Sequence, residues 1–160
     1  MIELFHGSNV EIDKIDLTQS KPGKDFGKGF YLSADYSQTL KQANNTTFRT
    51  QIGAPIVTRF IFDERCLKNT NLKVKTFNSY SVEWAEFVLK NRKNKSQNPT
   101  HDYDIVYGPT ANDTIGVQIR RYMESYIDIH QLVEALKFLK GITFQYFFGT
   151  ELAINTLKKA

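Results

Sequence analysis

The sequence has few of the features that would direct a chain out of the cell or into a membrane. It contains a single cysteine, Cys66, which excludes an internal disulfide and favours a reducing cytoplasm. Its first residues, MIELFHGS, show no basic stretch followed by an apolar one, so we expect no signal peptide. No apolar run approaches the roughly 20 residues needed to cross a bilayer. These absences predict a cytoplasmic protein that does not act in a membrane.

The sequence also lacks the local motifs of the commonest nucleotide-binding and hydrolytic sites. It has no glycine-rich dinucleotide fingerprint and no phosphate-binding loop. The serines around Gly7 lack the flanking glycine of a nucleophile elbow. His101 and His130 have no carboxylates or cysteine at metal-ligand spacing, so we expect no metal. A nucleotide bound by this chain must therefore be held in some other way.

The residues that are present predict one globular domain over residues 1–160, because 41% are hydrophobic and 13% are aromatic. Short runs rich in β-branched and aromatic residues predict strands at 2–6, 29–33, 55–62, 72–77, 103–107 and 143–148. Apolar stripes predict helices at 34–44, 81–91, 114–126, 129–139 and 151–158. The candidate caps are Ser33 or Asp35 for the first helix, Ser81 for the second and Thr150 for the last. Because strands and helices do not alternate regularly, we predict an α+β fold with mainly antiparallel strands.

The basic residues are spread along the chain, and their one dense cluster consists of Lys90, Arg92, Lys93 and Lys95. A mild positive potential attracts polyanions, including a dinucleotide or a nucleic acid. The simpler interpretation, which we prefer, is a solvated loop. A nucleic-acid-binding protein that uses this cluster is a separate hypothesis, and it predicts binding that weakens steeply with salt.

The first candidate site segment is His6-Gly7-Ser8, at the end of the first predicted strand. A histidine there projects from a fixed backbone toward the edge of the sheet. Gly7 allows a ligand to approach the main chain closely, and Ser8 adds a small hydroxyl. Taken alone, the segment is more typical of a histidine that ends a strand next to a turn.

The second candidate segment is residues 25–33, DFGKGFYLS, in which two glycines frame a tight turn before a strand begins. Phe30 and Leu32 face one side of that strand. If they belong to the core, Tyr31 and Ser33 point into a cleft or into solvent. An aromatic ring with a hydroxyl is suited to stack on a planar heterocycle such as nicotinamide. Alone, the segment is equally compatible with a plain turn leading into a strand.

Together with later segments, these residues resemble the ADP-ribosyltransferase superfamily of the His-Tyr-Glu type, which includes the poly(ADP-ribose) polymerase catalytic domain and its bacterial relatives. Within it, the chain resembles most the small bacterial proteins of the DUF3990 family. The resemblance covers nearly the whole chain, and the set of segments in this order is more specific than any one of them. The matching segments are His6-Gly7-Ser8, residues 26–33 with Ser37 and Ala43, residues 84–88, Asn91-Arg92, residues 103–109 and 111–113, and Gln145 with Thr150 and Ala153.

The resemblance implies a split antiparallel β-sandwich with peripheral helices that holds NAD in an extended cleft. It implies that His6 bonds the adenine-side ribose and that the main chain of Gly7 holds the nicotinamide amide. It also implies that Tyr31 stacks against the nicotinamide ring. The full set expected to contact NAD is His6, Gly7, Ser8, Gly29, Phe30, Tyr31, Ser33, Asn112 and Asp113.

The third signature residue of the superfamily is usually a glutamate on a late strand, and here that position holds Gln145. A glutamine can bond a ribose hydroxyl through its carbonyl oxygen. It carries no charge, so it cannot stabilise an oxocarbenium-like centre as a carboxylate does. The candidates for a replacement carboxylate are Glu151, Asp25 and Asp113.

Each of these carboxylates also has a structural interpretation. Glu151 is more typical of a first-turn glutamate favoured by the helix dipole. Asp113, with Asn112, either belongs to a functional loop or caps the next helix, and the two interpretations are level. Asp25 precedes the Phe-Gly turn and is also a common turn former.

The leading hypothesis is an NAD-dependent ADP-ribosyltransferase that uses His6, Tyr31 and Gln145 as catalytic residues and modifies a protein or nucleic-acid acceptor. By analogy alone, such a protein is expected to be a toxin or defence effector, with a cognate antitoxin or inhibitor protein as partner. The alternative is a non-catalytic NAD- or ADP-ribose-binding module that acts with a partner protein. The uncharged Gln145 supports that alternative.

Overall fold

A computed structural model of the chain describes residues 1–111, 113–139 and 141–160. Its strands are β1 (Ile2–Ser8), β2 (Phe30–Leu32), β3 (Ile56–Phe62), β4 (Val74–Thr76), β5 (Ile105–Pro109), β6 (Phe144–Phe148) and β7 (Leu157–Lys159). Its α-helices are α1 (Tyr36–Thr50), α2 (Val82–Lys93), α3 (Asp113–Met123), α4 (Ile129–Lys137) and α5 (Glu151–Ile154). Two short 3-10 helices lie at Leu17–Gln19 and Glu64–Lys68.

The strands form two sheets, in the orders β1-β3-β7 and β2-β6-β5-β4. All neighbouring pairs are antiparallel except β4 and β5, which run parallel. The predicted α+β fold with mainly antiparallel strands is therefore confirmed.

One antiparallel bridge links the two sheets, between Phe5 on β1 and Ser33 just after β2. The Phe5 N–H donates to the Ser33 carbonyl at 2.8 Å, and the Ser33 N–H donates to the Phe5 carbonyl at 3.0 Å. His6 follows Phe5 on β1, and Tyr31 of β2 precedes Ser33, so both lie on the same side of this bridge. The bridge therefore brings two residues 25 positions apart into contact.

Alternation along β2, β5 and β6 divides the buried residues into two cores. On one face, Leu32, Ile105 and Phe148 share a core with residues of β1 and β3. On the other face, Val106 and Phe147 pack against helices α2, α3 and α4. The second core also holds the largest buried side chain, Trp84, whose indole N–H donates to the Pro109 carbonyl at 3.2 Å.

Side chains predicted to cap helices do so. Asp35 accepts a hydrogen bond from the Gln38 N–H at the start of α1, and Ser81 accepts one from the Trp84 N–H at the start of α2. Thr150 accepts one from the Ala153 N–H at the start of α5. Each cap satisfies a backbone donor that has no partner within its helix.

The prediction of a helix over 151–158 is wrong beyond its first turn. Helix α5 ends at Ile154, and Leu157–Lys159 pairs with β3 instead. The apolar residues that suggested one helical face divide between the two elements, and Leu157 packs into the core between the sheets. The backbone N–H and C=O groups along the free edge of β3 pair with the last residues. The local sequence of residues 157–159 contains no sign of this pairing.

Helix α1 is longer than the predicted 34–44, since it ends at Thr50. Its second half, NNTTFRT, has weak helix propensity. The helix as a whole packs against β1 and β3. Among the described residues, none of the helices has both the length and the apolar character needed to cross a bilayer.

Candidate functional site

A cavity of about 880 Å³ opens where β1, β2 and α1 meet. Its walls include most of the residues that the sequence singled out, drawn from both ends of the chain. These residues are His6, Gly7, Ser8, Gly29, Phe30, Tyr31, Ser33 and Gln145. Asn112 and the side chain of Asp113, the other two residues predicted to contact NAD, lie outside the described residues.

His6 is held as a neutral ring with one nitrogen free to accept a hydrogen bond. Its Nδ1 lies 2.8 Å from the Tyr31 carbonyl oxygen, which can only accept, so Nδ1 carries the proton. The ring also stacks on Phe30, with centroids 4.3 Å apart. Burial lowers the pKa of His6, and the nearby charge of Lys24 lowers it further. Nε2 is therefore left as a hydrogen-bond acceptor.

Gly7 has a packing reason to be glycine. A Cβ atom there would lie 2.2 Å from the Thr39 carbonyl oxygen and 3.0 Å from the Ala43 nitrogen, both backbone atoms of α1. The absence of a side chain thus lets α1 approach β1 closely. This contact positions α1 as one wall of the cavity. The packing role of Gly7 does not depend on whether its main chain binds a ligand.

Tyr31 combines a structural role with a position in the cavity wall. Its hydroxyl donates to the Gly27 carbonyl at 2.6 Å and accepts from the Phe26 N–H at 3.1 Å. Its ring meets Phe147 edge-on, with centroids 5.3 Å apart. Burial and the charge of Asp25 raise its pKa well above the ordinary value, so the phenol stays protonated at neutral pH. The Tyr31 ring can stack on a planar ligand, and its hydroxyl holds the turn before β2 through two hydrogen bonds.

The expected alternation along β2 holds only in part. Leu32 belongs to the core, as predicted, and Ser33 is buried near the bridge between the sheets. Phe30, predicted to be core on the same face as Leu32, is only partly buried and lines the cavity. Its ring stacks on the His6 ring.

Gln145 is joined to one of the three candidate carboxylates, Asp25. The Gln145 amide donates from Nε2 to Asp25 Oδ2 at 3.2 Å, and Arg92 Nε donates to Asp25 Oδ1 at 2.7 Å. Asp25 also lines the cavity. Because the amide nitrogen is engaged, the carbonyl oxygen of Gln145 remains available to a ligand. Asp25 and Gln145 thus form a carboxylate-amide pair inside the cavity.

The other two carboxylates differ from Asp25. Glu151 is exposed in the first turn of α5, which agrees with its structural interpretation, and it is not part of the cavity wall. The side chain of Asp113 lies outside the part of the chain that the structure describes.

His101, which sequence reasoning set aside, supports the turn that holds Tyr31. The Tyr103 N–H donates to His101 Nδ1 at 3.1 Å, so the proton sits on Nε2, which donates to the Phe26 carbonyl at 2.7 Å. Burial lowers the pKa of His101 and favours this neutral form. Its partner Phe26 is 75 residues away along the chain. A polar loop beside a proline gave no local signal of that contact.

Cations also line the cavity, and sequence reasoning missed them because they are far apart in the chain. They are Lys14, Lys21, Lys24 and Arg49. No ion pair joins any of them to a carboxylate within residues 1–111, 113–139 and 141–160. Two carboxylates, Asp16 and Asp25, share the same wall. The balance of charge favours an anionic ligand.

The dense basic cluster that the sequence suggested is divided in the structure. Arg92 pairs with Asp25, and its side chain is largely buried, so it does not contribute to a basic outer surface. Lys93 lines a separate shallow pocket beside Tyr126 and Asp128. A single nucleic-acid-binding surface built from the whole cluster is therefore not supported.

Comparison with protein families gives one further finding. A family model described as "Protein of unknown function (DUF3990)" matches residues 2–159. Since the match spans nearly the whole chain, the protein belongs to the DUF3990 family. No curated protein and no solved structure matches the chain.

Proposed function

We propose that this member of the DUF3990 family is an NAD-dependent ADP-ribosyltransferase, with a split-sandwich fold of the His-Tyr-Glu type and its NAD site in the cavity between β1, β2 and α1. The observation that carries the proposal is the convergence of His6, Tyr31 and Gln145 on that one cavity. These residues come from separate strands, and their meeting is what a shared ligand site requires. A scattered arrangement would have left the resemblance without support.

The size and charge of the cavity suit a dinucleotide. Its volume of about 880 Å³ lies within the range of roughly 300–1,000 Å³ that is usual for ligand sites. The diphosphate of NAD carries negative charge, which the lysines and the arginine of the wall can neutralise. Exposed phosphate contacts of this kind weaken as salt is raised.

Each side chain of the site is suited by its chemistry to bind a different group of NAD. His6 Nε2 accepts a hydrogen bond from the adenine-side ribose, because Nδ1 is already committed to the Tyr31 carbonyl. The ring of Tyr31 stacks on nicotinamide. The carbonyl oxygen of Gln145 accepts from a hydroxyl of the nicotinamide-side ribose.

Asp25 supplies the negative charge that Gln145 lacks. When the bond between nicotinamide and ribose breaks, positive charge develops on the ribose, and nicotinamide leaves as a neutral molecule. The acceptor then forms a bond to the same ribose carbon and releases a proton. A carboxylate fixed by Arg92 and Gln145 stabilises this charge without having to reorganise.

The experiment incubates the purified protein with labelled NAD and a cell lysate and measures nicotinamide release and label in the protein and nucleic-acid fractions. We expect transfer by the wild-type chain. Loss of one preorganised charged or hydrogen-bonding group typically costs on the order of 100-fold or more in rate. We therefore expect a loss of that size for Asp25→Asn and for His6→Ala.

His130→Ala is the matched control, because His130 is exposed near the start of α4 and outside the cavity. It should leave transfer unchanged. Tight NAD binding by the wild type with neither nicotinamide release nor label transfer would refute the enzyme and favour the binding module that Gln145 suggests. Equal activity of wild type and Asp25→Asn would remove Asp25 from the mechanism.

A further inference from the structure

Lys24 is a cation of the cavity wall that interacts with both His6 and Tyr31. Its Nζ lies over the ring of Tyr31, 5.3 Å from the ring centroid. Its charge also reaches His6, whose pKa it lowers. Lys24, His6 and Tyr31 all line the same cavity. The ammonium group thus covers the aromatic surface on which a planar ligand would stack.

The interactions that hold this cation are weak. No carboxylate pairs with it in the part of the chain that the structure describes. Packing around the ammonium and repulsion from Lys21 and Arg49 lower its pKa, although the residue as a whole remains exposed. A cation under these conditions is stabilised by any anion that enters the cavity.

The lysine can leave the ring without a change of backbone. Its long, flexible side chain allows Nζ to move several ångströms by rotamer changes, which are fast for exposed residues. The cations Lys21 and Arg49 line the same cavity, so an anion drawn to them is within reach of Lys24 as well.

We propose that Lys24 is a specificity-determining residue that covers the Tyr31 ring until a phosphate-bearing ligand draws its ammonium away. This proposal rests on the proposed function of the same site. Isolated nicotinamide must displace the Lys24 ammonium from the Tyr31 ring, and it offers that ammonium no anion in return. A ligand that joins nicotinamide to a diphosphate uncovers Tyr31 and neutralises Lys24 in one event. The site therefore selects whole dinucleotides over isolated nicotinamide.

The test measures the affinities of two fragments of NAD for the wild type and for Lys24→Ala. ADP-ribose carries the diphosphate without the nicotinamide ring and is titrated by calorimetry, whereas nicotinamide is titrated by ligand-observed NMR. We expect opposite changes. ADP-ribose should bind about tenfold more weakly, because a charge-assisted contact is lost. Nicotinamide should bind about two- to fivefold more tightly, because a cation–π contact no longer competes for the ring.

Lys21→Ala is the matched control, since Lys21 lines the cavity and has no contact with the Tyr31 ring among the described residues. Lys21→Ala should lower the affinity for ADP-ribose and leave the affinity for nicotinamide unchanged. If nicotinamide binds no more tightly to Lys24→Ala than to the wild type, the role of Lys24 is refuted while the NAD site stands. If the wild type binds NAD but not ADP-ribose, the diphosphate does not draw Lys24 from the ring, and the selection by Lys24 is again refuted. Failure of the wild type to bind NAD and both fragments would refute the proposed function itself.

Discussion

Replacing Tyr31 with phenylalanine removes one oxygen atom and leaves the ring in place. That oxygen serves two backbone groups, the Phe26 N–H at 3.1 Å and the Gly27 carbonyl at 2.6 Å. The side chain of Phe26 is fully buried, whereas Gly27 is partly exposed. A buried donor left without a partner costs roughly 1–3 kcal/mol, and water can reach the carbonyl. We therefore expect the free energy of unfolding to fall by about 2 kcal/mol.

Urea unfolding of wild type and Tyr31→Phe measures this difference, followed by the fluorescence of Trp84, the only tryptophan, which is fully buried. Tyr126→Phe is the matched control, because Tyr126 is 73% exposed. Its free energy of unfolding should change by less than about 0.5 kcal/mol. Equal stabilities of the two variants would refute the idea that the phenol pins the turn. Because Tyr31→Phe keeps the ring, its folded form should still bind NAD.

Two further predictions concern packing and pH. Gly7→Ala should lower the free energy of unfolding by about 1–3 kcal/mol, because the new Cβ would lie 2.2 Å from the Thr39 carbonyl oxygen. Gly116→Ala, whose Cβ would meet nothing within 4 Å inside α3, should raise it by up to about 1 kcal/mol, and a stabilising Gly7→Ala would contradict the packing argument. The pKa values of His6 and His101 in the folded protein are lowered from 6.5. As the pH falls, these histidines are therefore protonated in the unfolded chain before they are protonated in the folded one, and the free energy of unfolding should decrease below about pH 6.5. Urea unfolding between about pH 7.5 and 5.5 measures the slope, which should flatten in His101→Gln, and an unchanged slope in that variant would count against its neutral buried state.

The sequence predicted the elements that depend on local chemistry. Caps such as Ser81 and Thr150 could be identified because a short polar side chain satisfies backbone donors only two or three residues away. The strand that carries Tyr31 could be identified because two glycines precede a run of aromatic and apolar residues. That His6, Tyr31 and Gln145 share a site was suggested only by the resemblance of their segments, in this order, to a known superfamily.

The sequence did not predict contacts between residues that lie far apart in the chain. Asp25 was one of three candidate carboxylates until the fold brought it to within 3.2 Å of Gln145, 120 residues away. His101 had no local pattern to distinguish it from a loop histidine. The last residues read as a helix because their apolar spacing fits one, and only the open edge of β3 makes them a strand.

Propensity and capping were thus determined by the sequence itself, because each depends on neighbours within about one turn or one strand. The tertiary structure decided which charges meet in the cavity and which side chains support Tyr31. Those outcomes depend on the bridge between Phe5 and Ser33 and on the close approach of α1 to Gly7, which join the walls of the cavity. A contact of that kind is fixed by the packing of whole elements, so no stretch of the chain contains the information alone.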